Sequence, residues 1–135
     1  MPVDKLEIVF DELDEFVDQQ MIGLLFEVHA NLVQDTPVDL GWARSQFVPR
    51  IGQPYRISLT DIEPSSGAAA AASSQAQSEL TAIAASYSSS QGKIFISNNV
   101  PYIQALNDGH SPQAPPGYIP AAVQRAVMRF GGRLI

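Results

Sequence analysis

From Asp4 to about Gln34 the apolar residues Leu6, Phe10, Leu13, Val17, Met21, Leu24, Val28 and Leu32 recur at steps of three and four. With about 3.6 residues per turn, that spacing gathers them on one face of an α-helix. Asp4 is placed to cap its start, and Glu7 follows three residues later as in a capping box. Asp35-Thr36-Pro37 ends the helix, because a residue before proline avoids the helical region. A helix over 4–34 spans roughly 45 Å, longer than a small domain needs. It either packs across the whole domain or projects in part toward a neighbour.

After the turn at Pro37–Gly41, Trp42–Ile51 reads as a strand anchored by Phe47 and Ile51, with Pro49 demanding a bulge or an edge position. Tyr55–Leu59 alternates and reads as a second strand or a continuation of the first. Pro64-Ser65-Ser66-Gly67 breaks the chain, and residues 68–86 are rich in alanine and serine. That stretch can be a flexible linker or an alanine-driven helix; Leu80, Ile83 and Ala84 after Glu79 favour the helix. Ser88–Gly92 is a turn, Lys93–Ser97 a short strand, and Pro101–Asn107 one or two helical turns with Pro101 at the first position. Residues 111–118 hold three prolines and form no regular element. A last helix over Pro120–Phe130 is expected to bury Val123, Ala126, Val127 and Phe130. These elements add up to one α+β domain over 1–135. It has a long N-terminal helix, a small antiparallel sheet within 40–118, an Ala-rich second helix and a C-terminal helix covering one face of the sheet.

Composition sharpens this picture in three places. The chain has 135 residues, 45% hydrophobic and only 16% charged, so some apolar surface is expected to be covered by partners. It has no cysteine, which removes disulfides, thiolate metal sites and a thiol nucleophile. With no long apolar run and no basic start followed by an apolar core at the N-terminus, the expectation is a soluble chain made in the cytoplasm. The net charge of −6 is unevenly spread: residues 1–39 carry ten of the fourteen acids and one base, residues 40–135 four acids and seven bases. Such polarity suits head-to-tail stacking of subunits, and equally a helix with a solvated acidic face. No Lys/Arg cluster interleaved with aromatics favours sequence-specific nucleic-acid binding.

Candidate chemistry is sparse. His29 lies on the long helix with valine at position 33, so no second ligand stands one turn on. Asp108, His110 and Ser111 fall within four residues. Triads, however, are assembled from separated segments, and neighbours on one turn rarely aim at one another. A turn stabilised by bonds to its own backbone is the plainer reading, and two side chains do not complete a zinc site. The carboxylate pairs Asp11/Glu15 and Asp14/Asp18 share helix faces and read as a solvated surface. Phosphate-binding glycine motifs do not occur. Neither a catalytic residue nor a cofactor is expected.

Two stretches carry a family likeness: Thr36-Pro37-Val38-Asp39-Leu40-Gly41-Trp42-Ala43-Arg44, and Ile96-Ser97-Asn98-Asn99-Val100-Pro101-Tyr102-Ile103-Gln104-Ala105-Leu106-Asn107-Asp108-Gly109-His110-Ser111 followed by Gln113-Ala114-Pro115. Together they resemble the neck and tail-completion proteins of long-tailed bacteriophages, with Leu40 and Trp42 standing where that family usually has Thr and Arg. The resemblance implies a structural virion protein, made in the host cytoplasm, that forms an oligomeric ring in head-tail joining. Its implied partners are further copies of itself, a head-completion or connector protein, and a tail-terminator or tail-tube protein. No membrane is involved, and DNA passes through the ring lumen. Asp39, Arg44, Tyr102, Asn107, Asp108, His110, Gln113, Pro115, Arg125 and Arg129 are the interface residues this reading nominates. Arg44 is expected to pair with Asp39 or a neighbour's acid, and Gln113-Ala114-Pro115 to extend outward as an arm. A tail terminator or minor tail component is the near alternative. A small hydrolase using Asp108, His110 and Ser111, or a dimerising adaptor built on the long helix, are the distant ones.

Overall fold

The computed structural model describes the backbone of residues 2–38 and 41–134, and the side chains of 15–38 and 41–130. The Asp4/Glu7 capping box therefore lies outside the described side chains, as do Asp11, Asp14 and Arg133. Helix α1 runs Pro2–Asp35, α2 Trp42–Ser45, strand β1 Val48–Ile51, α3 Ser66–Ser86, β2 Ile94–Ser97, α4 Ile103–Asn107 and α5 Tyr118–Leu134, with a single 3-10 turn at Ser89–Gln91. The class is α+β, dominated by helix, with one antiparallel two-stranded sheet pairing Val48 with Ser97 and Ile51 with Ile94. Both strands are edges, which is how Pro49, with no N–H to donate, is accommodated. No described helix is long and apolar enough to cross a membrane.

The strand expected over Trp42–Ile51 forms only from Val48, as β1, and the one expected over Tyr55–Leu59 does not form. Gly41 takes a left-handed φ of 75°, and the chain coils at once into α2, with Ser45 N–H donating to Gly41 O at 3.0 Å. Burying the consecutive residues Trp42 and Ala43 suits a helical turn under a cover; a strand would send them to opposite faces. Tyr55–Leu59 stays irregular: Asn99 Nδ2 donates to the Tyr55 carbonyl at 2.9 Å, a role a neighbouring strand would have taken. Only Leu59 of the alternating set is buried, while Ile57 is 43% exposed.

The Ala/Ser stretch is a helix, as its composition favours. Ser65 caps α3 by accepting from Ala68 N–H at 3.0 Å, and Ala69, Ala76, Leu80 and Ile83 form its buried side. Small side chains let α3 approach α2 and β1 closely.

Helix α5 corrects the sequence reading twice. It packs chiefly lengthwise along α1, not over the sheet. Its buried residues are Tyr118, Ala122, Ala126 and Phe130, one every four positions, whereas Val123 and Val127 are 37% and 49% exposed. The two helices run antiparallel: Asn31 Nδ2 donates to Ala122 O at 3.2 Å at one end, and Phe130 reaches Gly23 at the other. A β-carbon at Gly23 would lie 2.8 Å from the Phe130 ring, so the absence of a side chain there is what admits the aromatic.

Among the described residues the core is three small clusters. Trp42, Ala43, Leu59, Ala69 and Val100 form one beneath α2 and α3; Leu25, Leu80 and Ile83 meet the isoleucines of the sheet in a second; Leu32, Phe47 and Ala122 form the third between α1 and α5. Leu80 is 1% exposed and central to the second cluster. Leu80→Ala should therefore cost about 2–5 kcal/mol, read as a lower midpoint in urea unfolding with an unchanged slope.

Candidate functional site

The two motifs, separated by more than fifty residues of chain, form one substructure at the C-terminal end of α1. Thr36 stops the helix: it is 1% exposed, and its Oγ1 donates to Leu32 O at 2.7 Å. Arg44, one helical turn past Gly41, swings its guanidinium back so that Nη2 donates to Gln34 O and Thr36 O, each at 3.2 Å. A cation bonded to the last carbonyls of a helix also meets the negative end of its dipole. Arg44 is thus a cap within its own chain. Asp39, the partner expected for it, lies outside the described residues, and among the described residues the buried Arg44 Nε meets no hydrogen-bond partner.

The second motif is bonded onto this helix stop. Asn98 Nδ2 donates to Ala43 O at 2.9 Å while its Oδ1 accepts from Val100 N–H, fixing the corner after β2. The Gln113 amide grips both backbone groups of Val38: Oε1 accepts from Val38 N–H at 2.9 Å, and Nε2 donates more weakly to Val38 O at 3.5 Å. The segment expected to extend outward therefore folds back. Ala114 is buried, Gly117 N–H donates to Asn107 O at 2.6 Å, and Pro115 is exposed on the outer edge of the loop. Gly109, at φ 95°, lies under Pro116, where a β-carbon would sit 2.7 Å from the Pro116 ring. The loop needs glycine there for both conformation and room.

Asn107 has a further role that sequence reasoning missed. Its Oδ1 accepts from Ile119 N–H at 3.0 Å, satisfying a first-turn donor of α5 from a residue twelve positions earlier. Spacing gives no hint of so distant a cap. Tyr118 next to it is buried with its hydroxyl beside Thr36 but outside good hydrogen-bond geometry, and burial pushes its phenol up from its ordinary value.

Asp108, His110 and Ser111 do not converge through hydrogen bonds. Asp108 Oδ1 accepts from Gln104 Nε2 at 3.0 Å, Ser111 Oγ accepts from Gln113 N–H at 3.2 Å, and the exposed His110 has its backbone N–H on Ala105 O. A cleft of about 480 Å³ between Pro37, Val38, Tyr102, Leu106 and His110 marks the seam of the two motifs; Tyr102 is 40% exposed on its edge. Among the described residues no group of three or more His, Asp or Glu is placed to hold a metal ion.

Arg125 and Arg129 engage α1 of their own chain, Arg125 to Asp35 at 2.8 Å and Arg129 to Glu27 at 2.6 Å. Both guanidiniums are more than half exposed, so each pair is worth at most about 1 kcal/mol. The pairs fix register along the α1–α5 seam and leave the arginines open to solvent.

Compared with protein-family models, with curated proteins and with solved structures, the chain matches none.

Two measurements test this geometry. Asn107→Ala should cost about 1 kcal/mol by losing the α5 cap, seen as a lower thermal midpoint. His29 supplies the second: it is buried, with Nε2 bonded to Phe47 O at 2.9 Å. A carbonyl only accepts, so Nε2 carries the proton of the neutral ring. Burial holds the imidazole below its ordinary value of about 6.5, against the opposing effect of that bond. The unfolded chain therefore takes up a proton first as the pH drops. Stability should be level with respect to this group above about pH 6.5, and fall from there toward the folded-state value. Comparing the pH dependence of urea midpoints between the native chain and His29→Gln checks this: the variant should lose that component.

Proposed function

We propose that the chain is a structural component of the neck of a tailed-phage particle, acting by assembly into a ring that joins head to tail. The observation that carries the reading is the junction itself. The residues bearing the family resemblance, read from sequence as two separate stretches, are bonded together through Gln113 to Val38 and Asn98 to Ala43. Their polar side chains are spent on holding a surface of defined shape: Arg44, Asn98, Asn107 and Gln113 all bond to backbone groups. Asp108 accepts from Gln104 and Ser111 from the Gln113 N–H, while His110 is exposed beside the cleft at the seam.

In this role the seam of the two motifs, with Tyr102, His110 and Pro115 on its outer side, faces a neighbouring subunit or a connector or tail-tube protein. Its rigidity limits the entropy lost when such a partner docks. The test is cryo-electron microscopy of tailed particles that carry this gene. The expected result is density for the chain as a closed symmetric ring between head and tail; intact particles from which the chain is missing would sink the reading.

A further inference from the structure

One side of α1 is left without cover. Part of the apolar stripe that predicts the helix lines a groove in the folded chain. Met21, Leu24, Val28 and Leu32 line a groove of about 430 Å³ whose floor is Phe47, Ile94 and Ile96 and whose far wall is Ile119 and Val123. Among the described residues Asn98 is the one polar residue lining it, and no charged side chain does. Toward the N-terminus the same stripe continues through Val17, which is 53% exposed beside Phe16 at 47%. In the sequence it runs on through Leu13, Phe10 and Leu6. Helix α5, which packs α1, has 17 residues against the 34 of α1, and its seam reaches Gly23 at Phe130. The chain thus carries an open apolar groove and, further toward the N-terminus of the same helix, the exposed apolar side chains of Phe16 and Val17.

Charge decides how these surfaces can be filled. Residues 1–18 contain seven acids and one lysine. Pairing this half of α1 with its copy would set two such segments against each other, at a repulsive cost. The groove offers no acid along its lining, and residues 40–135, which supply its floor and far wall, carry more bases than acids. We infer that the N-terminal half of α1 from one subunit lies in the groove between α1, the sheet and α5 of the next. The contact joins two different patches, so repetition closes a ring or runs on as a filament. It rests on the ring reading above and names the surfaces that build the ring.

Complementation of two damaged chains tests it. Val17→Glu places a charge on the stripe and Val123→Glu one on the groove wall; both positions are exposed in the single chain, so thermal unfolding of each variant should match the native protein. Each alone should associate at least about tenfold more weakly by light scattering, because a carboxylate would be buried without a partner. Mixed together, they should form a two-chain species, since the intact stripe of Val123→Glu still fits the intact groove of Val17→Glu. A photo-crosslinking amino acid at position 17 of the otherwise native chain should be captured by residues 94–98 or 119–127 of another copy. Rings that survive both substitutions, or crosslinks from position 17 to position 17, would overturn the groove contact while leaving the ring reading in place. A native chain that remains single at millimolar concentration would overturn both.

Discussion

The end of the long helix is the constraint around which the rest of the chain is arranged. A helix that stops inside a folded domain leaves carbonyl groups without partners, and each must be met. Here Thr36 takes the Leu32 carbonyl and Arg44 those of Gln34 and Thr36. Bringing Arg44 back over the helix end requires the sharp reversal at Gly41, and that reversal sets α2 where Trp42 and Ala43 become the centre of a hydrophobic cluster. The second motif then closes over the same turn. Hydrogen bonding at one helix terminus and burial of apolar surface next to it are therefore a single arrangement, and neither would persist without the other.

The polarity of charge along the sequence takes on a different meaning in three dimensions. It suggested an acidic face of one subunit against a basic face of the next, with Arg125 and Arg129 on the basic side. Those two arginines reach Asp35 and Glu27 of the same chain. What stays unbalanced is the N-terminal stretch, where the acids are concentrated and bases are nearly absent. The charge imbalance is accordingly a property of that stretch as a whole and not of individual arginines on α5.

Elements were legible in the sequence wherever one local rule decided them. The steps of three and four indicate α1, alanine content with the stripe of Leu80, Ile83 and Ala84 indicates α3, and the apolar run before Asn98 indicates β2. The errors occur where distant partners decide. Tyr55–Leu59 alternates as a strand should, yet Asn99 claims its carbonyl; Val123 and Val127 look like a buried face until the alanines at 122 and 126 are seen to be what close approach to α1 requires. The same holds at the junction. That its two motifs matter was readable from their residues, but the grip of Gln113 on Val38 and the capping of α5 by Asn107 join positions that no spacing rule connects. The outward arm differs for the same reason: the three prolines within 111–118 imply stiffness, and stiffness alone does not say in which direction a loop is held.

The ties along α1 have a consequence for how the domain comes to be folded. Gln113 bonds across 75 positions, Asn31 across 91, Arg125 across 90 and Arg129 across 102. Such contacts form only after large loops have closed, which adds long-range loop closure to the folding of a largely helical chain. During synthesis α1 leaves the ribosome before α5, which packs along it. Until α5 emerges, an aliphatic seam meant for the interior is bare, and that interval is when a nascent chain of this design depends most on protection by chaperones.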